Sequence, residues 1–138
     1  LAVEVKELLS FLKDSIITMG LITDGRSVQQ RAKIKALDLE NYITDIVISE
    51  EFGSEKPSVA NYQFFEDIYS KKNNIFFYVG DNIKKDFIAP NKLGWTTICL
   101  KDKGYNIHTQ NIEVSEDYKP KFHISTLSEL KKLISKFK

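Results

Sequence analysis

Apolar residues in this chain alternate between a helical and an extended period. In VEVKELLSFLKD, Val5, Leu8, Leu9 and Leu12 fall at i, i+3, i+4 and i+7, the spacing of one helical face. A strand over about 16–23 follows and ends in Thr23-Asp24-Gly25, and Val28, Ala32, Ala36 and Leu37 then support a second helix. TDIVIS (44–49) is a short β-branched run that reads as a buried strand, and EEFGSEKPS reads as a loop. Ser58 is placed to cap a third helix whose inward stripe is Val59, Tyr62, Phe65 and Tyr69. The fully apolar strand 75–80 ends in Gly-Asp-Asn, a fourth helix covers about 84–93 with Gly94 as its C-terminal cap, and WTTICL (95–100) is the next strand. Residues 101–120 read as loop, and Thr126-Leu127-Ser128-Glu129 is a capping box opening a last helix with Leu127, Leu130, Ile134 and Phe137 on its apolar side. Helices alternating with nearly continuous apolar strands predict an α/β class built on a mainly parallel sheet, with residues 1–138 forming a single domain.

Composition narrows the partners. A chain of 138 residues is the size of one ordinary domain. Twenty Lys and Arg against 19 Asp and Glu give a net charge of +1, which provides no electrostatic footprint for nucleic acid or an anionic membrane and favours a small-molecule partner. The single Cys99 has no disulfide partner, and there is no signal-like or membrane-length apolar run, so a cytoplasmic location is expected. Leu1 is too bulky to follow a removed initiator Met, which predicts that the sequence is a piece of a longer chain.

In a parallel sheet the carboxyl ends of the strands share one edge, so polar residues that end separate strands converge. Thr23 ends the first strand, Lys56 follows the second in SEKPS, and Asp81 ends the third in VGDNIKKDF, with Asp86 five positions later. Singly, each has an ordinary reading: a turn, a solvated loop lysine, a carboxylate at a helix start. Together, in order and each after an apolar strand, a hydroxyl, an ammonium and two carboxylates suit a phosphoryl group and a divalent cation. His108 and His123 lack further ligands at metal spacing, and Trp95, Phe76, Phe77 and Tyr78 lie inside apolar strands and read as core.

These residues resemble the haloacid dehalogenase (HAD) superfamily of phosphohydrolases over about residues 5–100. GLITDG resembles its second motif, EKPS its third, and VGDNIKKDF with APNKLGWTTICL its fourth and the helix and strand beyond. The resemblance implies a HAD-like Rossmannoid fold, a three-layer α/β/α arrangement, and Mg²⁺ as cofactor. It implies Thr23 and Lys56 as catalytic residues, with Thr23, Asp24, Gly25 and Lys56 around the substrate phosphoryl group. Asp81 would be a metal ligand with Asp86 assisting, and Asn82 would be a near neighbour. The family's first motif, Asp-x-Asp on a central strand, supplies the nucleophile and the general acid and base. Here Asp occurs at 14, 24, 38, 45, 67, 81, 86, 102 and 117, and no two are separated by a single residue. The expectation is therefore that the central first strand is not present in this chain, and that an N-terminal segment or a fused domain completes the site. The implied activity is hydrolysis of a small phosphorylated metabolite through an aspartyl-phosphate. The alternative is a non-catalytic HAD-like domain serving regulation or assembly in a larger protein.

Overall fold

The computed structural model describes residues 3–15, 17–56, 58–70, 72, 74–101 and 115–137. It divides into two compact units, Leu1–Glu55 and Lys56–Lys138. The expected strand start at Ile16, residues 102–114 of the expected loop, Pro57 of EKPS, and His108 lie outside the described residues.

The first unit carries helix α1 (Val3–Asp14), strand β1 (Gly20–Thr23), helix α2 (Ser27–Ala36), a 3-10 turn (Leu39–Asn41), strand β2 (Asp45–Ile48) and the short helix α3 (Ser49–Phe52). β1 and β2 are parallel, in register from Gly20 opposite Asp45 to Thr23 opposite Ile48. Leu8 and Leu12 of α1 are buried as their spacing predicts, together with Ile22, Ile34, Val47 and Ile48. α2 forms where expected but buries a different face: Val28 is 82% exposed, Ala32, Ala36 and Leu37 are also exposed, and Ile34 is the buried residue. Gln30 and Ser27 share the Ile34 side, one and two turns earlier, so the helix turns a polar half-face toward its own N-terminal turn. α3 replaces part of the expected loop. It is a single turn of SEEF closed by the Gly53 N–H donating to the Ser49 carbonyl (2.9 Å), with Gly53 at φ +90°.

The second unit carries α4 (Ala60–Tyr69), β3 (Phe77–Gly80), α5 (Ile88–Lys92), β4 (Thr96–Leu100), a 3-10 turn (Glu116–Tyr118), β5 (Phe122–Ile124) and α6 (Leu127–Ser135). Its strands are parallel in the order β3-β4-β5. Tyr62 and Phe65 of the α4 stripe are buried, and Tyr62 meets Tyr78 and Trp95 edge-on at 5.1 and 5.7 Å, with Phe76 stacked on Trp95. Ser58 accepts from the Ala60 N–H (3.3 Å) but lies one residue before the cap position, which Val59 occupies. The fourth helix is shorter than expected, because residues 83–87 form a turn and only Ile88–Lys92 is helical. Pro90 is tolerated there because a first-turn residue needs no intrahelical N–H partner. β5 is an addition to the expected strands: three residues around an exposed His123, with Ile124 alone buried, give too short an alternation to read. Thr126 caps α6 by accepting from the Glu129 N–H (3.3 Å), and Glu129 reaches back to the Ser125 N–H. Leu130 and Ile134 of α6 are buried, whereas Phe137 lies beyond the helix, 38% exposed and edge-on to Phe77.

Among the described residues β1 pairs only with β2, and β3 only with β4. No helix among them is long and apolar enough to cross a membrane. Cys99 sits fully buried in β4, where burial, and then the charges of Asp81 and Asp86, push its thiol up to about 11, so it serves as a core residue.

Candidate functional site

The polar strand ends expected from the sequence fall in both units, and each group is built differently. In the second unit the chain leaves β3 at Gly80 and turns through Asp81, Asn82 and Ile83 to Asp86. The Asp86 carboxylate folds back under this turn. Its Oδ2 accepts from the backbone N–H groups of Asp81 (3.0 Å) and Asn82 (2.9 Å), and its Oδ1 accepts from Lys56 Nζ at 3.0 Å. The Tyr62 hydroxyl donates to the Asp86 carbonyl (3.4 Å), and the Asn82 carbonyl accepts from the Asp86 N–H (2.8 Å). Asp86 is 3% exposed, and the Lys56 and Asp86 side chains are 15% and 5% exposed. The two form a nearly buried ion pair whose desolvation is offset by three charge-assisted hydrogen bonds.

Glycine is required at position 80. A Cβ there would stand 2.6 Å from Asp86 Oδ2 and 2.9 Å from its Cβ and Cγ. From sequence, Gly80 reads only as the last residue of a strand, and this role is missed; the signal is the spacing Gly-Asp-x₄-Asp, in which the second carboxylate must pass beneath the first residue.

In the first unit β1 delivers Thr23 to a turn in which Gly25 has φ +122°, a region favoured by glycine. The Thr23 hydroxyl lies 3.2 Å from Gln30 Oε1 and 3.3 Å from the Asp24 carbonyl. The residues after β2 grip this turn and the start of α2. Ser49 Oγ accepts from the Gly25 N–H (2.8 Å) and donates to the Gly25 carbonyl (3.2 Å), Glu50 accepts from the Ser27 N–H (3.0 Å), and Glu51 accepts from the Ser27 hydroxyl. Arg31 makes a two-pronged contact with Glu51 at 2.9 and 2.7 Å. Hydrogen bonds from Arg31 and then Ser27 hold the Glu51 carboxyl down to about 2. Gln30 and Ser49 are not among the sequence-derived candidates: one sits on an expected apolar helix and the other at an expected strand end.

As metal ligands, the two expected carboxylates differ. Both Asp86 oxygens already accept from protein donors, one of them a cation, which disfavours direct coordination; Asp81 is the hard oxygen donor at the strand end. Among the described residues no group of three or more His, Cys, Asp or Glu is placed to hold a metal ion.

Gly80→Ala is expected to lower stability by about 1–3 kcal/mol, because the Asp86 carboxylate cannot yield without losing its two amides or Lys56; the denaturant midpoint measures it, and an unchanged midpoint contradicts the packing. For Glu51, a carboxyl lowered on folding adds stability above its ordinary value of 4.5, and that contribution is lost as pH falls toward about 2. The pair is exposed, so the effect is small and screened by salt. Denaturation at stepped pH is expected to show a low-salt decline over that window which Glu51→Gln reduces.

Residues 1–100 match the haloacid dehalogenase-like hydrolase family. The chain is 28% identical over 127 residues to glyceraldehyde 3-phosphate phosphatase of Methanocaldococcus jannaschii, covering 92% of this chain and 53% of that protein. It is 29% identical over 119 residues to pyrimidine 5'-nucleotidase YjjG of Escherichia coli, covering 86% and 50%. In structure it resembles a HAD phosphatase from Thermococcus onnurineus, with a TM-score of 0.78 at 21% identity, over 97% of this chain and 58% of that one. The chain spans about half the length of the curated relatives it matches. Its fold is HAD-like, and the chain belongs to the haloacid dehalogenase-like hydrolase family.

Proposed function

We propose that residues 1–138 are a single phosphoryl-handling core domain of a phosphomonoester hydrolase acting on a small phosphorylated metabolite. The observation that carries this reading is the Lys56–Asp86 pair beneath the turn after β3: a cation held at 3.0 Å by a carboxylate that also fixes the backbone of Asp81 and Asn82. A lysine so restrained is preorganised to neutralise charge developing on a transferring phosphoryl group. The phosphatase and nucleotidase named above support the substrate class.

Thr23 donates its hydroxyl to a phosphoryl oxygen, the Asp24-Gly25 turn lines the same group, and Lys56 offsets its negative charge. Asp81 and Asp86 have the metal roles, Asp81 as a direct ligand and Asp86 by holding the loop that presents it. Mg²⁺, when bound, supplies charge neutralisation at the phosphoryl oxygens. The attacking carboxylate and the general acid and base come from an Asp-x-Asp segment outside these residues, carried on a strand. Among the described residues β1 and β3 each leave one edge unmatched, which favours that reading, because an unpaired edge next to an apolar strand is a place for another strand to add. The covalent species is an aspartyl-phosphate, hydrolysed by water that the second Asp activates.

In the whole protein, hydrolysis of para-nitrophenyl phosphate with Mg²⁺ is expected to fall about 10²–10³-fold in kcat with Lys56→Ala, and Asp81→Asn is expected to abolish it. Removing Lys56 strands a buried carboxylate, so the thermal midpoint of each variant is measured alongside and Lys56→Gln serves as a milder second variant. Full activity in folded Lys56→Ala contradicts the reading. Residues 1–138 alone are expected to show no turnover and to bind Mg²⁺ only weakly by calorimetry; submicromolar binding lost with Asp81→Asn would contradict the incomplete oxygen set.

A further inference from the structure

Three consecutive residues after β2 hold successive points of the segment after β1: Ser49 holds Gly25, Glu50 holds Ser27, and Glu51 holds Ser27 and Arg31. The Glu50 and Glu51 grips are exposed, and the Arg31–Glu51 ion pair among them yields to salt. The third is different. Ser49 is 6% exposed, and its single hydroxyl closes on both backbone groups of Gly25, two residues from Thr23.

We propose that Ser49 is a positioning residue for the phosphoryl-binding turn, fixing the Gly25 backbone and through it the hydroxyl of Thr23. The inference rests on the phosphohydrolase reading. Glycine at φ +122° has no side chain to restrict it, so local preference does not hold that conformation and an external contact must. Ser49 is that contact. A Cβ at Gly25 would stand 2.8 Å from Gln30 Nε2, and the other atom of the same carboxamide, Oε1, lies 3.2 Å from Thr23 Oγ1. The Gln30 carboxamide thus lies beside both the Gly25 turn and the Thr23 hydroxyl, which is also tied to Gly25 by a span of two residues. Both backbone groups of Gly25 would also lose this partner if the hydroxyl were removed.

The test compares Ser49→Ala and Ser49→Thr with wild type in the whole protein, assayed with para-nitrophenyl phosphate, together with amide hydrogen exchange and thermal midpoints. A turn that binds non-reacting phosphoryl oxygens holds substrate and transition state alike, so its loss appears in KM. Ser49→Ala is expected to raise KM about tenfold with kcat nearly unchanged and to speed Gly25 amide exchange about tenfold, while the Val47 amide exchanges as in wild type. Ser49→Thr, which keeps the hydroxyl, is expected to restore both. A purely structural role would reduce the folded fraction, lowering apparent kcat and leaving KM alone. Unchanged KM in folded Ser49→Ala, or Gly25 exchange as slow as in wild type, overturns the inference. If wild type has no turnover, or if folded Lys56→Ala retains it in full, the phosphohydrolase reading itself fails and takes the inference with it; exchange at Gly25 still reports separately on the Ser49 contact.

Discussion

The carboxylate of Asp86 is the constraint on which the order of the turn after β3 depends. It is nearly buried, and a buried charge persists only when its lone pairs are met. Two backbone amides and one ammonium meet them, and each partner is thereby fixed: the amides of Asp81 and Asn82 define the loop after β3, and Lys56 loses the freedom of a long surface side chain. One residue thus converts two mobile groups, a loop and a lysine, into an ordered array. The cost is the demand for glycine at position 80, where any side chain would enter the space of the carboxylate.

The first unit solves a similar problem with neutral groups. Its turn is short and glycine-containing, a sequence that adopts many conformations on its own, and the fold restrains it from α3 rather than from within. The division of labour is consistent with the chemistry proposed. A group that neutralises charge needs a fixed cation, whereas a group that donates to phosphoryl oxygens needs a fixed direction, and hydrogen bonds to backbone supply direction.

Much of this is legible in the sequence, and the reasons for the failures are physical. Thr23 and Asp81 stand out because each is a polar residue at the end of an apolar parallel strand, Thr23 closing β1 and Asp81 directly following β3. Lys56 stands out by its position after the second strand, but its pairing with Asp86 lies 30 residues away along the chain and leaves no periodic mark. The face of α2 is misread because Val28, Ala32 and Leu37 are apolar yet exposed, while the inward side carries Ser27 and Gln30, whose partners come from the residues after β2 and the end of β1. α3 and β5 are missed because elements of four and three residues are shorter than any repeat that could announce them.

The central claim, that Asp86 orders the loop that bears Asp81, is tested most directly by amide hydrogen exchange at Asp81 and Asn82 in wild type and in Asp86→Ala. The amides bonded to Oδ2 are expected to exchange about tenfold faster or more in the variant, while the β4 amide of Ile98, held in the ladder to a neighbouring strand, keeps its protection. Equal protection of Asp81 and Asn82 in both proteins would contradict the account, because the loop would then be held by something other than that carboxylate.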